Sequence, residues 1–219
     1  MGGNSSKLPD SYNIVIIGGG FAGCEFAMKL KEKSNKFTLI DGKEAMHINT
    51  GALRASVEAS FAKKTLISYK EMFGDNFKHG VVRAIDTNAK TVTLVAGDEV
   101  VTYTHLVIAT GSVGLFPAKL MMTTSTADAL LLYRKQVEEI RGAKSIVIIG
   151  GGAVGVELAG EIATDYKDKQ VTIIHPHHFL VSGTMSERFQ KEVKEQLKIL
   201  NVKLILGKFL HFIGSYFDE

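Results

Sequence analysis

Cysteine is almost missing from this chain. Cys24 is the only one in 219 residues. A lone thiol allows no internal disulfide, so an oxidising compartment is neither required nor indicated. It also excludes a redox-active cysteine pair, so any electron transfer here must run through a cofactor. Proline is scarce at 3 residues, whereas glycine reaches 22. That combination suits a fold built on tight turns between strands and helices. No apolar run approaches the length of a bilayer span, and no secretory hydrophobic region opens the chain. Charge of one sign is lacking too: the net value is +3. Without a dense basic stripe, nucleic acid is not an expected partner.

What is present begins at Tyr12. Ile14 to Ile17 form a short, β-branched apolar run, as in a buried parallel strand. Gly18, Gly20 and Gly23 follow at G-x-G-x-x-G spacing, with Gly19, Phe21 and Ala22 between them. Glu25 to Lys33 reads as helix. Strand, glycine turn and helix in that order make a dinucleotide-binding fingerprint. Gly18 permits the tight turn, Gly20 admits a pyrophosphate to the backbone, and Gly23 lets helix and strand approach. The free N–H groups and the dipole at the helix start favour phosphate charge. Phe37 to Asp41 reads as the next strand. Asp41 lies 18 residues beyond Gly23, close to the ~20 expected for a ribose-binding carboxylate. Its alternative is a solvated acid at a strand end.

The same pattern recurs 132 residues later. Ser145 to Ile149 is followed by Gly150, Gly152 and Gly155, and Val171 to Ile174 reads as the following strand. That interval means two domains rather than a solenoid. The residue closing the second unit is His175, 20 residues past Gly155. A carboxylate there would repel a 2′-phosphate; histidine repels nothing and can donate to one. This site is therefore expected to accept NADPH and to admit NADH. A solvated loop histidine, with His177 and His178 close behind, is the equal alternative.

Between the two fingerprints, Leu53, Val57 and Phe61 recur every four residues, predicting one helix from Asn49 to Lys64. Arg54 on it reads either as a surface arginine or as a partner for a diphosphate. Val81–Ile85, Thr91–Val95 and Val100–Tyr103 predict a three-stranded antiparallel meander. Leu106–Ala109 returns to a buried strand, closed by Thr110, Gly111 and Ser112 beside the expected ligand. Leu115–Thr126 reads as a loop and Ala127–Ile140 as an amphipathic helix. Glu187–Leu200 reads as a charged-face helix and Val202–Leu206 as a strand. The aromatic residues after Leu206 are either one last strand or a tail without a partner.

At the start, Gly2 and Ser6 satisfy the M-G-x-x-x-[ST] pattern of N-myristoylation, against the plainer reading of a floppy end. One acyl chain gives only marginal membrane binding, and Lys7 alone is a weak second contact.

The fold class is accordingly α/β, with two Rossmann-like dinucleotide-binding domains. The first carries the inserted meander and the second is incomplete. Two such domains, the meander between them and the Ala-Thr-Gly turn resemble the FAD-dependent pyridine nucleotide oxidoreductases. The stretches Asn49–Glu58 and Phe61–Thr65 place the resemblance in the apoptosis-inducing-factor-like branch, over roughly residues 1 to 206. That resemblance implies a division into a flexible N-terminus (1–11), an FAD-binding domain (12–118) and an NAD(P)H-binding domain (119–219).

It further implies that Gly18, Gly20 and Gly23 contact the FAD pyrophosphate, with Gly19, Phe21 and Ala22 in the same turn. Asp41 would hold the FAD ribose, and Arg54, the Val82 backbone, Thr110 and Gly111 would also line that cofactor. Gly150, Gly152 and Gly155 would hold NAD(P)H, with His175 at its adenosine ribose. The implied activity passes electrons from NAD(P)H to ubiquinone or vitamin K-type quinones and protects membranes from lipid peroxidation. No catalytic acid, base or nucleophile is required. Myristoylated Gly2 would direct the chain to lipid droplets and the plasma membrane, with the mitochondrial outer surface as a further location. Members of the family return after the second domain with another FAD segment and an interface domain, which this sequence does not contain. A truncated, catalytically inactive dinucleotide-binding form is therefore the alternative expectation.

Overall fold

The computed structural model describes residues 9, 11–33 and 36–209. Gly2 and the aromatic residues from 210 onward lie outside the described residues. The chain divides into two units. The first comprises the chain up to Ala52 together with Ser60–Tyr133, and the second Leu53–Ala59 with Arg134 onward.

The first unit begins with β1 (Ile14–Ile17), α1 (Phe21–Lys33) and β2 (Phe37–Asp41). A small antiparallel pair follows, β3 (Ala45–His47) and β4 (Leu66–Ser68), then α3 (Tyr69–Phe73) and β5 (Phe77–His79); α2 (Ala52–Val57) lies between β3 and β4 in sequence. The expected meander is present as β6 (Val82–Asp86), β7 (Thr91–Leu94) and β8 (Val100–Thr102). β9 (His105–Ile108) returns to the main sheet, whose order is β5-β2-β1-β9 with every pair parallel. β5 was not foreseen. Three residues carry too little periodicity to announce a strand.

Side-chain alternation on β1 explains why its apolar run is unbroken. Ile14 and Ile16 face Cys24, Ala27 and Leu30 of α1. Val15 and Ile17 face the other way, onto Val92, Leu94 and Tyr103 of the meander segment. Both faces of the strand are thus covered, and all four residues are buried.

The second unit is built from α4 (Thr126–Gly142), β10 (Ser145–Ile149), α5 (Ala153–Asp165), β11 (Gln170–His175), α6 (Glu187–Ile199) and β12 (Lys203–Leu206). The boundary between the units falls inside α4, after Tyr133, rather than at residue 118. The three strands pair in parallel in the order β10-β11-β12. Their core gathers Ile148, Ala159, Ile162, Ile173, Leu180 and Leu197. Among the described residues, no helix is long and apolar enough to cross a membrane.

The single helix expected over Asn49–Lys64 is broken in three. A 3-10 turn (Asn49–Gly51), α2 and a second 3-10 stretch (Ala59–Thr65) replace it. The break separates two loyalties. Val57 belongs to the second unit's core, and Tyr166 donates from its hydroxyl to the Val57 carbonyl at 2.8 Å. Thr65, back in the first unit, donates to the Ala62 carbonyl. A four-residue apolar repeat records burial, not which core does the burying.

Candidate functional site

The two glycine turns are built alike. Gly18 has φ +100° and Gly150 φ +112°, a region closed to side chains but open to glycine. Each donates its N–H to the carbonyl at the end of the next strand: Gly18 to Ile40 at 2.8 Å, Gly150 to Ile174 at 2.9 Å. A Cβ on Gly23 would collide with the Gly18 carbonyl oxygen, and one on Gly155 with the Gly150 carbonyl oxygen. By contrast, a Cβ on Gly20 or Gly152 would meet nothing. That open side is the space a phosphate would occupy. Gly20, Phe21 and Ala22 are exposed at the start of α1, whereas Gly19 and Gly23 are buried. No acidic residue stands in the first turn of α1 or of α5, and no side chain caps the start of α5. Both helix starts therefore keep their positive end for an anion.

Beside the first turn lies a cavity of about 120 Å³, lined among others by Asp41, Lys43, Val81, Val82, Thr110 and Met122. Its volume suits one part of a dinucleotide rather than the whole. Asp41, Val82 and Thr110 had been singled out in the sequence; Lys43 and Met122 had not. Gly111 follows Thr110 at the exposed end of the segment after β9. Asp41 already accepts from the Gly19 N–H at 2.7 Å and from the Lys43 N–H at 2.8 Å, with the Lys43 ammonium 3.0 Å away. A carboxylate has about four acceptor positions, so capacity remains for a ribose hydroxyl. Cys24 donates to the Gly19 carbonyl, and burial, with Asp41 nearby, pushes its thiol up to about 12. It is an inert thiol at neutral pH.

Arg54, expected at the FAD diphosphate, belongs to the second unit, where three carboxylates surround it. It donates to Asp165 at 2.7 Å, to Glu161 at 2.8 Å and to Glu58 at 2.9 Å. Asp165 first, then Glu161 and Glu58, hold its proton more firmly still. Arg54→Ala would leave three acids facing one another. A stability loss of about 1 kcal/mol is expected, reduced by partial exposure and by salt. Urea unfolding at low and high ionic strength checks it; equal loss at both would contradict the electrostatic account.

At the end of β11, His175 packs against Gly151 of the second turn. Its ring meets His177 and Phe179 edge-on, and those two stack on each other at 4.7 Å. Nδ1 of His175 is buried without a hydrogen-bond partner. Burial, then the neighbouring His177, lower its pKa below the usual 6.5. At neutral pH it therefore offers a hydrogen bond rather than a charge.

A family model described as pyridine nucleotide-disulphide oxidoreductase matches residues 12–215. The chain belongs to that family. Family membership supports FAD and NAD(P)H as the cofactors. Curated relatives agree with it. The chain is 44% identical over 206 residues to ferroptosis suppressor protein 1 of Xenopus laevis, covering 94% of this chain and 55% of that one. It is 41% identical over 208 residues to the Homo sapiens protein of the same name, covering 95% and 56%. The chain thus spans just over half the length of these relatives. Among solved structures, a water-forming NADH oxidase from Lactobacillus brevis bound to NADH superposes with a TM-score of 0.70 at 23% identity, over 91% of this chain and 47% of that one. At that identity the likeness shows the fold. The word disulphide in the family's description has no counterpart here, since Cys24 stands alone and buried.

Proposed function

We propose that the first unit holds FAD and the second NAD(P)H, and that the protein carries electrons from the nicotinamide to a quinone at a membrane surface. The observation that carries this reading is the doubled turn: two glycine cradles of one geometry, closed by an acid in the first unit and a histidine in the second. The similarity to ferroptosis suppressor proteins supports a quinone of the ubiquinone or vitamin K class and a role against lipid peroxidation. When bound, the flavin would supply the redox chemistry. The chain's own part is to bind and orient: the Gly20 and Gly152 backbones face the phosphates, Asp41 the FAD ribose, and His175 the adenosine ribose of NAD(P)H. A myristoyl group on Gly2 would supply the membrane contact, and intact mass of the cellular protein tests it.

Purified full chain should show flavin absorbance and oxidise NADPH only when a short-chain quinone is added. Bound flavin without quinone-dependent turnover would sink the enzyme reading. The second reading, nucleotide binding without turnover, is favoured by apolar side chains left open on strand edges. Val147 and Ile149 on β10 are 57% and 58% exposed, and Ile108 on β9 is 63% exposed. Such surfaces favour association over a soluble monomer.

His175 carries a prediction on coenzyme choice. With burial and His177 lowering its pKa below that of a free histidine, any gain in NADPH over NADH from its protonation should set in at more acidic pH than a free histidine would give, as the pH is taken from 8 down to 5. His175→Glu should turn the site against NADPH by about tenfold, through repulsion of the 2′-phosphate. Coenzyme titrations of both proteins across this range check the pair.

A further inference from the structure

In both turns, the carbonyl of the middle glycine is held by a donor from outside the strand–turn–helix unit. In the first, Tyr69, fifty residues downstream and fully buried, donates from its hydroxyl to the Gly19 carbonyl at 2.6 Å. Its ring also fills the space a Cβ on Gly19 would need. In the second, the Val181 N–H donates to the Gly151 carbonyl at 2.7 Å. Val181 does so from φ +66°, a conformation that strains a β-branched residue and needs support from its surroundings. That support is the side chain of Gln190 on α6. It accepts from the Leu180 N–H at 2.7 Å and donates to the Leu180 and Ser182 carbonyls at 2.8 and 2.9 Å. One backbone problem has two unrelated solutions.

The reason lies in the peptide unit. In a trans peptide the C=O of one residue and the N–H of the next point in opposite directions within one plane. A donor fixed on the Gly19 carbonyl therefore aims the Gly20 N–H away from the core, toward its open side. The Gly151 carbonyl does the same for the Gly152 N–H. Without such donors a glycine peptide can rotate, and a phosphate would have to order it on binding; at Gly19 the weaker Cys24 thiol donor remains when the Tyr69 hydroxyl is removed.

We propose that Tyr69 and Gln190 are positioning residues for the two dinucleotide phosphates, Tyr69 for the first turn and Gln190, through Val181, for the second. Neither touches the nucleotide. Each sets the direction of an N–H that does. The identity of the two nucleotides rests on the function proposed above; the backbone clamp does not.

The test is a crossed pair of variants in the full chain, read by nucleotide affinity and by backbone hydrogen exchange. Tyr69→Phe keeps the ring and removes the hydroxyl. It should weaken FAD by about tenfold, the worth of one oriented hydrogen bond, and speed exchange over Gly18–Cys24. NADPH affinity and exchange over Gly150–Val156 should not change. Gln190→Leu should do the reverse, weakening NADPH about tenfold with FAD untouched. Gln190→Glu keeps the acceptor for Leu180 and should fall between. Equal loss of both nucleotides in either variant would mean general destabilisation and overturn the proposal, as would unchanged affinity and exchange. If Tyr69→Phe does not fold, the Gln190 pair alone decides. A wild-type chain that binds neither nucleotide would defeat the proposed function, and the exchange data, which need no ligand, would still decide the clamp.

Discussion

Gly23→Ala should unfold the first turn and abolish flavin retention, whereas Gly20→Ala should leave the fold intact and lose only the cofactor. Both are glycines of one motif, and both changes add one methyl group. At position 23 the new Cβ would collide with the carbonyl oxygen of Gly18. The obstacle is backbone, and it is pinned: the Gly18 N–H is bonded to Ile40 and α1 is packed on β1 through Cys24 and Ala27. Overpacking of this kind costs roughly 3 kcal/mol at the upper end. Alanine's better helix propensity returns about 1 kcal/mol. The net loss is therefore about 2 kcal/mol, together with displacement of the turn proposed to hold the phosphate. At position 20 the Cβ meets no protein atom, so stability should stay within about 0.5 kcal/mol. The methyl group would instead occupy the space of the phosphate. Urea midpoints and flavin content of the two variants separate the effects. A stable, flavin-replete Gly23→Ala chain would refute the packing account.

Acidification should destabilise the first unit through His47. Its Nε2 lies 2.7 Å from the Tyr133 hydroxyl oxygen in a hydrogen bond, with both side chains buried. Burial first, then the charge of Lys43, pushes the His47 pKa down to about 4. Burial raises the Tyr133 hydroxyl to about 12, so it stays protonated throughout. The unfolded chain takes up its proton near pH 6.5. Between 6.5 and about 4 the unfolded state therefore binds a proton that the folded state refuses. Stability falls as pH falls through this window, by about 3 kcal/mol in all, and this group contributes no further loss below it. His47→Gln keeps a polar nitrogen near the same place without a titration. Its unfolding midpoint should lose much of that pH dependence. An unchanged pH profile in the variant would show that other groups are responsible.

Much of the fold could be read directly. β1 was expected at its observed bounds, and the meander and the second glycine turn fall where local pattern put them. These features depend on neighbours in sequence: β-branched runs, glycine at fixed spacing, an acid after the second strand. What escaped was long-range. Nothing local marks Tyr69 as the partner of Gly19, fifty residues away, or Gln190 as the brace behind Val181, because its bonds run from a helix back to a preceding irregular loop and follow no repeat. The same reason governs Arg54. Its place on a periodic apolar helix was legible, but the break after α2, and the three carboxylates waiting on and beyond it, were not.

The two strands that lead into the glycine turns make the division plain. Both read Ile-Val-Ile-Ile, at residues 14–17 and 146–149. The sequence determined that each would be a parallel strand feeding a dinucleotide turn, because β-branched bulk followed by glycine leaves little else. In β1 all four residues are buried, since α1 covers one face and the meander covers the other. In β10 only Ile148 is fully buried, while Val147 and Ile149 lie open. Strand formation is set by a residue's own backbone preference and its nearest neighbours. Burial is set by which other segment packs on the opposite face, and only the tertiary structure decided that.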